Sequence, residues 1–398
     1  GKYVANETIY VNYVYSKNEG TVTENVTTKT QINTILGANS TFKYVLEYNG
    51  EITDYTGDAT ITLTDILPYD VKEITYDEDA CSFDNNTRTL ICSKTVAIDE
   101  NNKEINARFE VVVKYNDLTS TADLSIKNEV SAILTYGESE VPSNGETTDV
   151  VKSSEVEAIY VDVDDKELAT SIVTTGLIDT DYTTEAKEIY GYTLTEEPSN
   201  KNGLYTKEKI TVKYVYSKNS GEITGEEVAK IGSENISSVD GTFNYSLTYD
   251  VELTNYVGKA ELTVVDTLPY EIDETKSTYD DRCVYDKDTL TITCTGEYNI
   301  GENNTVIDEE FELSLVFKNI DSDKVINKVS SELKYGNETE EDKDETETEV
   351  FKGIVIATYK DTLGNTLATD EKTEDLADKD YTTSAKTIYG YTLTEEPS

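Results

Sequence analysis

Ala59-Thr-Ile-Thr-Leu-Thr-Asp65, continuing to Ile66-Leu67, alternates strictly between apolar and hydroxylated residues. Side chains on a strand point to opposite faces in turn, so Ile61, Leu63, Asp65 and Leu67 share one side. That side is apolar except for an acid. The same alternation recurs in Thr41-Phe-Lys-Tyr-Val-Leu-Glu-Tyr48, Arg108-Phe-Glu-Val-Val-Val-Lys-Tyr115 and Leu124-Ser-Ile-Lys-Asn-Glu-Val-Ser-Ala-Ile-Leu134. Period-2 patterning at strand length, with turns between, predicts an antiparallel sandwich over each such region. In a second copy the inward row is Leu262, Val264, Asp266 and Leu268.

That second copy exists because the chain repeats itself. Tyr13-Val-Tyr-Ser-Lys-Asn18 returns as Tyr214-Val-Tyr-Ser-Lys-Asn219, and Tyr190-Gly-Tyr-Thr-Leu-Thr-Glu-Glu-Pro-Ser199 returns as Tyr389 to Ser398. The 398 residues are two copies of one unit, and the sequence reads as a window on a longer tandem array. Each period holds two parts. The expected division is 1–17, closing strands of a preceding small module; 18–155, a sandwich; 156–217, a small module; 218–350, a second sandwich; and 351–398, an incomplete small module. Gly137 to Glu155 and its acidic counterpart Asn337 to Glu349 are expected to be exposed connectors. The fold class is all-β: sandwiches alternating with small modules.

Composition narrows the function. The formal charge is −46, with 80 acids against 34 bases. A polyanionic partner needs Lys and Arg, so nucleic acid is excluded, and anionic membrane surfaces with it. No apolar run of about 18 residues is present to span a bilayer. His, Met and Trp are absent, which removes His-based triads and His-based zinc sites. Thirty Tyr with abundant Val, Ile and Thr suit half-buried strands. No catalytic set, metal site or cofactor is expected, and the chain is not read as an enzyme. Asp162-Val-Asp-Asp165 and Asp77-Glu-Asp79 lack the Gly and terminal Glu of a calcium loop and read as solvated acids.

Cys81/Cys92 and Cys283/Cys294 form two matched pairs around polar turns, Asp84-Asn-Asn86 and Asp286-Lys-Asp288. Two local disulfides follow, with an oxidising, extracellular setting. Asn25, Asn39, Asn235 and Asn337 open Asn-x-Ser/Thr sequons, which reflect a chain rich in Asn and Thr.

The small module resembles the MucBP, or mucin-binding-protein, repeat of Gram-positive surface adhesins. The resemblance is carried by Tyr160-Val-Asp162, Leu168-Ala169, Tyr182-Thr-Thr184, Ile189-Tyr-Gly-Tyr192, Pro198 and Val212-Lys-Tyr-Val-Tyr216, then by Tyr381-Thr-Thr383 and Ile388-Tyr-Gly-Tyr391. It implies a small β-grasp-like fold on a cell surface and host mucin or its glycans as one class of partner. The larger part resembles the immunoglobulin-like repeats of bacterial surface proteins and pilins through Thr64-Asp-Ile-Leu-Pro68 and Val265-Asp-Thr-Leu-Pro269. A Lys on an early strand and an Asn on the last complete the pattern of members that form intramolecular isopeptide bonds.

Strand facing bears on that implication. Ile126, Asn128, Val130, Ala132 and Leu134 share a face, as do Val325, Asn327, Val329, Ser331 and Leu333. Lys29 recurs as Lys230, with less clear facing. A buried acid, amide and lysine are costly alone but can react together: desolvation favours the neutral amine and the protonated acid. The expected bonds are Lys29–Asn128 assisted by Asp65 and Lys230–Asn327 assisted by Asp266, with Glu110 and Glu312 as rival acids. The alternative is a buried, hydrogen-bonded Asn and Asp with Lys at the surface. The expected role is a mechanical stalk or fibre at the cell surface, held among neighbouring repeats and open to lateral self-association. The alternative is an adhesin that binds mucin glycans through Tyr182 to Tyr192.

Overall fold

The computed structural model describes residues 1–397, apart from the side chain of Glu226. No helix occurs among the described residues. The chain divides into two compact units, Gly1–Lys187 with Glu196–Val215, and Glu188–Thr195 with the remainder from Tyr216.

In the first unit nine strands build the sandwich: β1 (Thr21–Gln31), β2 (Phe42–Thr53), β3 (Gly57–Ile66), β4 (Val71–Thr75), β5 (Cys81–Asp84), β6 (Thr89–Ile98), β7 (Glu104–Tyr115), β8 (Leu124–Tyr136) and β9 (Ser139–Val151). One sheet has the order β1-β2-β7-β4 and the other β5-β6-β3-β8-β9. The inward faces meet in one core that includes Phe42, Tyr44, Ile61, Leu63, Phe109, Val130 and Leu134. Asp65 and Asn128 lie in that buried layer, on the face that alternation assigns them.

The second unit repeats the plan. Strands Glu222–Gly232, Phe243–Thr254, Val306–Leu315 and Thr278–Tyr279 form one sheet. The other runs in the order Asn235–Ile236, Glu338–Val350, Lys324–Tyr335, Gly258–Thr267, Thr291–Ile300, Cys283–Asp286.

Two expectations are overturned. Gly137–Glu155 and Asn337–Glu349 are not connectors: β9 and Glu338–Val350 are full strands, paired along their whole lengths to β8 and to Lys324–Tyr335. Their polarity follows from position. β9 is the outermost strand of its sheet, and Glu338–Val350 is covered beyond only at its end by the two-residue strand Asn235–Ile236, so most of each outer edge is open, where charge is tolerated and discourages edge-to-edge pairing. The inward half is capped by β1, or by Glu222–Gly232, instead of by deep core. Consequently Asn128 and Asn327 sit on the penultimate sandwich strand, not the last.

The second correction concerns the joint. After β9 only Lys152 separates the sandwich from β10 (Ser153–Asp162). β10 pairs with β11 (Glu167–Leu177), and the module adds β12 (Asp181–Thr183), β13 (Tyr192–Glu196), β14 (Asn202–Leu204) and β15 (Ile210–Lys218). Its main sheet has the order β11-β10-β15-β13. Leu177 belongs to the sandwich core. Ala38 N donates to Ile178 O at 2.8 Å and Lys152 N to Leu36 O at 3.1 Å. In the second unit Leu376 enters the core in the same way, and Phe351 N donates to Ile236 O at 3.0 Å.

Residues 1–20 form no strand, although Ile9 to Lys17 repeat the sequence of β15. Strands Lys352–Lys360 and Thr366–Leu376 form a two-stranded sheet of their own.

Candidate functional site: a buried lysine, aspartate and asparagine in each sandwich

Lys29 is carried inward by β1, where Thr27 and Lys29 are the buried pair on a strand otherwise open to solvent. Its register opposite Leu46 of β2 places it between the sheets. Lys29 Nζ bonds Asp65 Oδ2, and both side chains are fully shielded from water. Lys230 Nζ bonds Asp266 Oδ1 in the same setting. The ammonium groups also lie over aromatic faces, Lys29 at 4.8 Å from the Tyr44 ring centroid and Lys230 at 4.4 Å from that of Tyr245. The lysines are therefore buried, unlike the alternative that placed them at the surface.

The asparagines come from the neighbouring strand. Asp65 is opposite Val130 across β3 and β8, so Asn128 lies two residues further along the same inward row. In the second sandwich Asn327 Nδ2 donates to Asp266 Oδ2 at 3.2 Å. Asp266 thus receives the lysine on one oxygen and the amide on the other. In the first sandwich both polar atoms of the Asn128 side chain and Oδ1 of Asp65 lack any hydrogen-bond partner. An unpartnered buried polar group costs about 1–3 kcal/mol, so such a group calls for a physical reason.

The charge states follow from burial. Desolvation pulls Lys29 down to about 8, against the opposing pull of Asp65 and Asp149. Burial lowers Lys230 as well, opposed by Asp266. Burial raises both Asp65 and Asp266, each held back by its lysine. Moving one proton from Lys to Asp would yield the neutral amine and the protonated acid together, without exchange with solvent.

Glu110 and Glu312 are exposed, on the outer faces of their strands, and Glu110 pairs with Arg108 at 3.0 Å. They are not neighbours of the trios. Sequence reasoning missed Asp149. It is buried on β9, accepts a hydrogen bond from the Tyr44 hydroxyl at 2.7 Å, and lies close enough to Lys29 to shift it. The signal was its parity with Val151, hidden by reading the segment as a connector. At the matching place the second sandwich has Thr348.

The cysteine pairs stand directly opposite one another on adjacent antiparallel strands, Cys81 to Cys92 and Cys283 to Cys294, and both are disulfides. The acidic runs serve turns: Asp162 Oδ1 accepts the amides of Asp164 and Lys166, and Asp77 Oδ1 accepts that of Asp79. Among the described residues no three Asp, Glu, Cys or His side chains are grouped to hold a metal. Asn39, Asn235 and Asn337 are exposed, whereas Asn25 is half-buried and accepts the Tyr48 hydroxyl at 2.8 Å. Tyr182, offered as part of a sugar platform, is buried and packs edge-on against Tyr205 with centroids 5.5 Å apart.

Comparison with known proteins reaches parts of the chain. Internalin J of Listeria monocytogenes is 32% identical over 130 residues, 31% of this chain and 14% of that protein. Internalin I of the same species is 44% identical over 69 residues, 17% of this chain and 4% of that protein. The chain therefore spans a small fraction of the length of these relatives. Among solved structures, domains D2 and D3 of the major pilin SpaD from Corynebacterium diphtheriae overlap 48% of this chain and 98% of that one, at 12% identity and a TM-score of 0.29. The major pilin subunit BcpA of Bacillus cereus overlaps 54% and 75%, at 14% identity and a TM-score of 0.27. The family model of the MucBP domain matches residues 155–217 and 354–398. These two segments are MucBP domains, one in each repeat of the chain.

Proposed function

We propose that the chain is a tension-carrying segment of an extracellular surface stalk, in which each sandwich, 18–155 and 218–350, is closed by a Lys–Asn isopeptide bond. The observation that supports this reading is the buried trio, built twice from the same strands, with the Asn128 amide left unpartnered. Nζ of the neutral lysine attacks Cγ of the asparagine while the protonated aspartate donates to the amide oxygen. Collapse of the tetrahedral adduct expels the amide nitrogen as ammonia and leaves an Nζ–Cγ amide, so atoms balance without a cofactor. The acid is regenerated and the reaction occurs once per sandwich, so the segment is not an enzyme with turnover.

The bond would join β1 to β8 and enclose the residues between Lys29 and Asn128. Tension entering at β1 would pass through it, and about 300–350 Å of chain would be withheld from extension. The β9 ladder lies outside that loop and stays peelable. The disulfides suit an oxidising exterior, and the charge of −46 opposes clumping through self-repulsion. The mucin-binding alternative rests on the family name; of the Tyr182 to Tyr192 stretch assigned to it, Tyr182 is buried while Tyr190 and Tyr192 are half-exposed.

Intact-mass measurement under native disulfide pairing tests the reading. The expected deficit, beyond that of two disulfides, is two ammonia molecules. Fragment spectra should place the branches at Lys29–Asn128 and Lys230–Asn327. A mass with no ammonia deficit ends the proposal.

A further inference from the structure

The two sandwiches differ at the seam where an edge strand of one sheet meets an edge strand of the other. In the second sandwich the register shift between Glu226 and Ala229 leaves Glu227 and Val228 together opposite Tyr249, as a bulge. In the first there is no shift at this place, and Thr27 alone opposes Tyr48. The bulge lies against Glu338–Val350 of the other sheet, where Asp342 accepts the Val228 amide at 3.2 Å.

A cavity of about 350 Å³ opens at this seam, with Ile223, Glu227, Tyr335, Glu338 and Glu340 in its wall. Glu338 and Glu340 stand opposite Tyr335 and Leu333 across their strands. In the first sandwich the matching residues are Val26 for Glu227, Ser139 for Glu338, Val141 for Glu340 and Ser143 for Asp342. Four acids thus surround a place that is neutral in the other copy. The lysines of the adjoining strand do not answer them. Lys334 bonds Glu332, and Lys328 and Lys324 pair with Glu345 and Glu347 at 3.4 and 2.6 Å on the outer face. Lys218 is held over the Tyr256 ring at 4.6 Å.

Acids alone would be no more than a solvated face, and Tyr249 supplies a separate sign of a ligand. It is fully buried, and its hydroxyl has no hydrogen-bond partner. Burial pushes it up, and so do Glu227, Asp342 and Glu340, which places the hydroxyl within their field. Tyr48, at the matching place, donates to Asn25 Oδ1 at 2.8 Å. Oε2 of Glu227 is likewise shielded and unpartnered. Burial, then Asp342 and Glu340, push Glu227 up, as expected of a carboxylate crowded by others. The acids are not grouped to hold a metal, which would need several oxygens converging within about 2.0–2.6 Å of one point. An ammonium group is less exacting. It offers three donors, each reaching a carboxylate at about 2.7–2.9 Å. Ile223 and the buried Tyr335 give its carbon stem an apolar wall.

We propose that this cavity of the second sandwich binds a primary alkylammonium, with the charged head among Glu227, Glu338 and Glu340 and the methylene stem along Ile223 and Tyr335. A free diamine and a lysine side chain of another protein both present that chemistry. The first sandwich has no such site. None of Lys230, Asp266 and Asn327 lines the cavity, so the inference does not rest on the isopeptide bonds, and a mass deficit or its lack leaves it untouched.

Calorimetric titration of the full chain tests this, with cadaverine and with acetyl-lysine methylamide as probes. Salt is kept at about 0.15 M, where exposed charges are screened beyond about 8 Å. Saturable binding of one probe per chain is expected. Binding of cadaverine alone supports the site and assigns it to free diamines; binding of the lysine amide supports it and assigns it to side chains. The double change Glu227→Val with Glu340→Val installs the residues of the first sandwich and should weaken binding by about tenfold or more. Glu338→Ser alters an exposed position, so the fold is retained, and should weaken binding by about two- to fivefold. In methyl spectra the Ile223 signal should move on saturation while that of Val22, its counterpart, stays in place. Failure of both probes to saturate overturns the inference. So does binding that both variants leave unchanged, which would mark a diffuse counterion atmosphere, or displacement of the probe by calcium at equal concentration, which would mark a metal site.

Discussion

The two sandwiches place the same three residues in unlike surroundings. Around Lys29 there are two buried carboxylates, Asp65 and Asp149, and an asparagine with no hydrogen-bond partner. Around Lys230 there is one buried carboxylate, Asp266, which holds both lysine and asparagine, with Thr348 where the second acid would be. The strand that delivers the lysine is also fastened differently. β1 approaches β9 closely at Gly145, where a side-chain carbon would come within 2.8 Å of Thr27 O. β1 shifts register between Val22 and Glu24, whereas its counterpart Glu222–Gly232 does so between Glu226 and Ala229, next to the lysine, and there Asp342 and Asp344 accept the amides of Val228 and Lys230 at 3.2 and 2.7 Å. What the copies share is the trio; what differs is how the lysine strand is held and how deeply the lysine's second acid is buried, Asp149 fully and Asp344 only half.

Replacing the lysine is the strongest way to break the comparison. Lys29→Ala and Lys230→Ala each strand a buried aspartate and forbid the cross-link, and about 3–5 kcal/mol is expected for removing one partner of a buried pair. The loss should be larger for Lys29→Ala, because the second acid it leaves unanswered, Asp149, is buried, whereas Asp344 near Lys230 is half-exposed. Urea midpoints of the two variants check this, and an equal or reversed order would show that Asp149 does not feel Lys29.

The fastening of the strand gives a smaller effect. Gly145→Ala forces β1 outward against its own backbone and should cost about 1–3 kcal/mol. Asp344→Ala removes one hydrogen bond that can be replaced by water, at about 1 kcal/mol. Thermal melting of both variants sharpens the comparison, since the first sandwich should prove the less tolerant.

The smallest expected effect is on pH dependence. In Asn128→Ala the first trio keeps a free lysine. Its folded value near 8 lies below the ordinary 10.5, so between these pH values the unfolded chain binds more protons and stability rises with pH. Adding Asp149→Thr removes a charge that holds Lys29 up and should shift the start of that rise to lower pH. Urea unfolding at a series of pH values reads both slopes, and a flat profile from 8 to 10.5 would contradict them.

Much of the site was legible because strand parity is a strong signal. An aspartate in register with Ile61, Leu63 and Leu67 had to face the core, and an asparagine in register with Val130 and Leu134 had to meet it. Lys29 was harder. β1 is polar on both faces, and only contact with β9, itself misread, makes its inner face inner. β9 and Glu338–Val350 were obscured for a physical reason: a marginal strand capped by another polar strand needs no apolar row.

Leu177 and Leu376 end strands of the MucBP domains yet are buried in the sandwich cores. Swivelling either domain about its sandwich would drag a leucine into water. Each pair should therefore behave as a keyed coupling, with its twist set by side-chain fit.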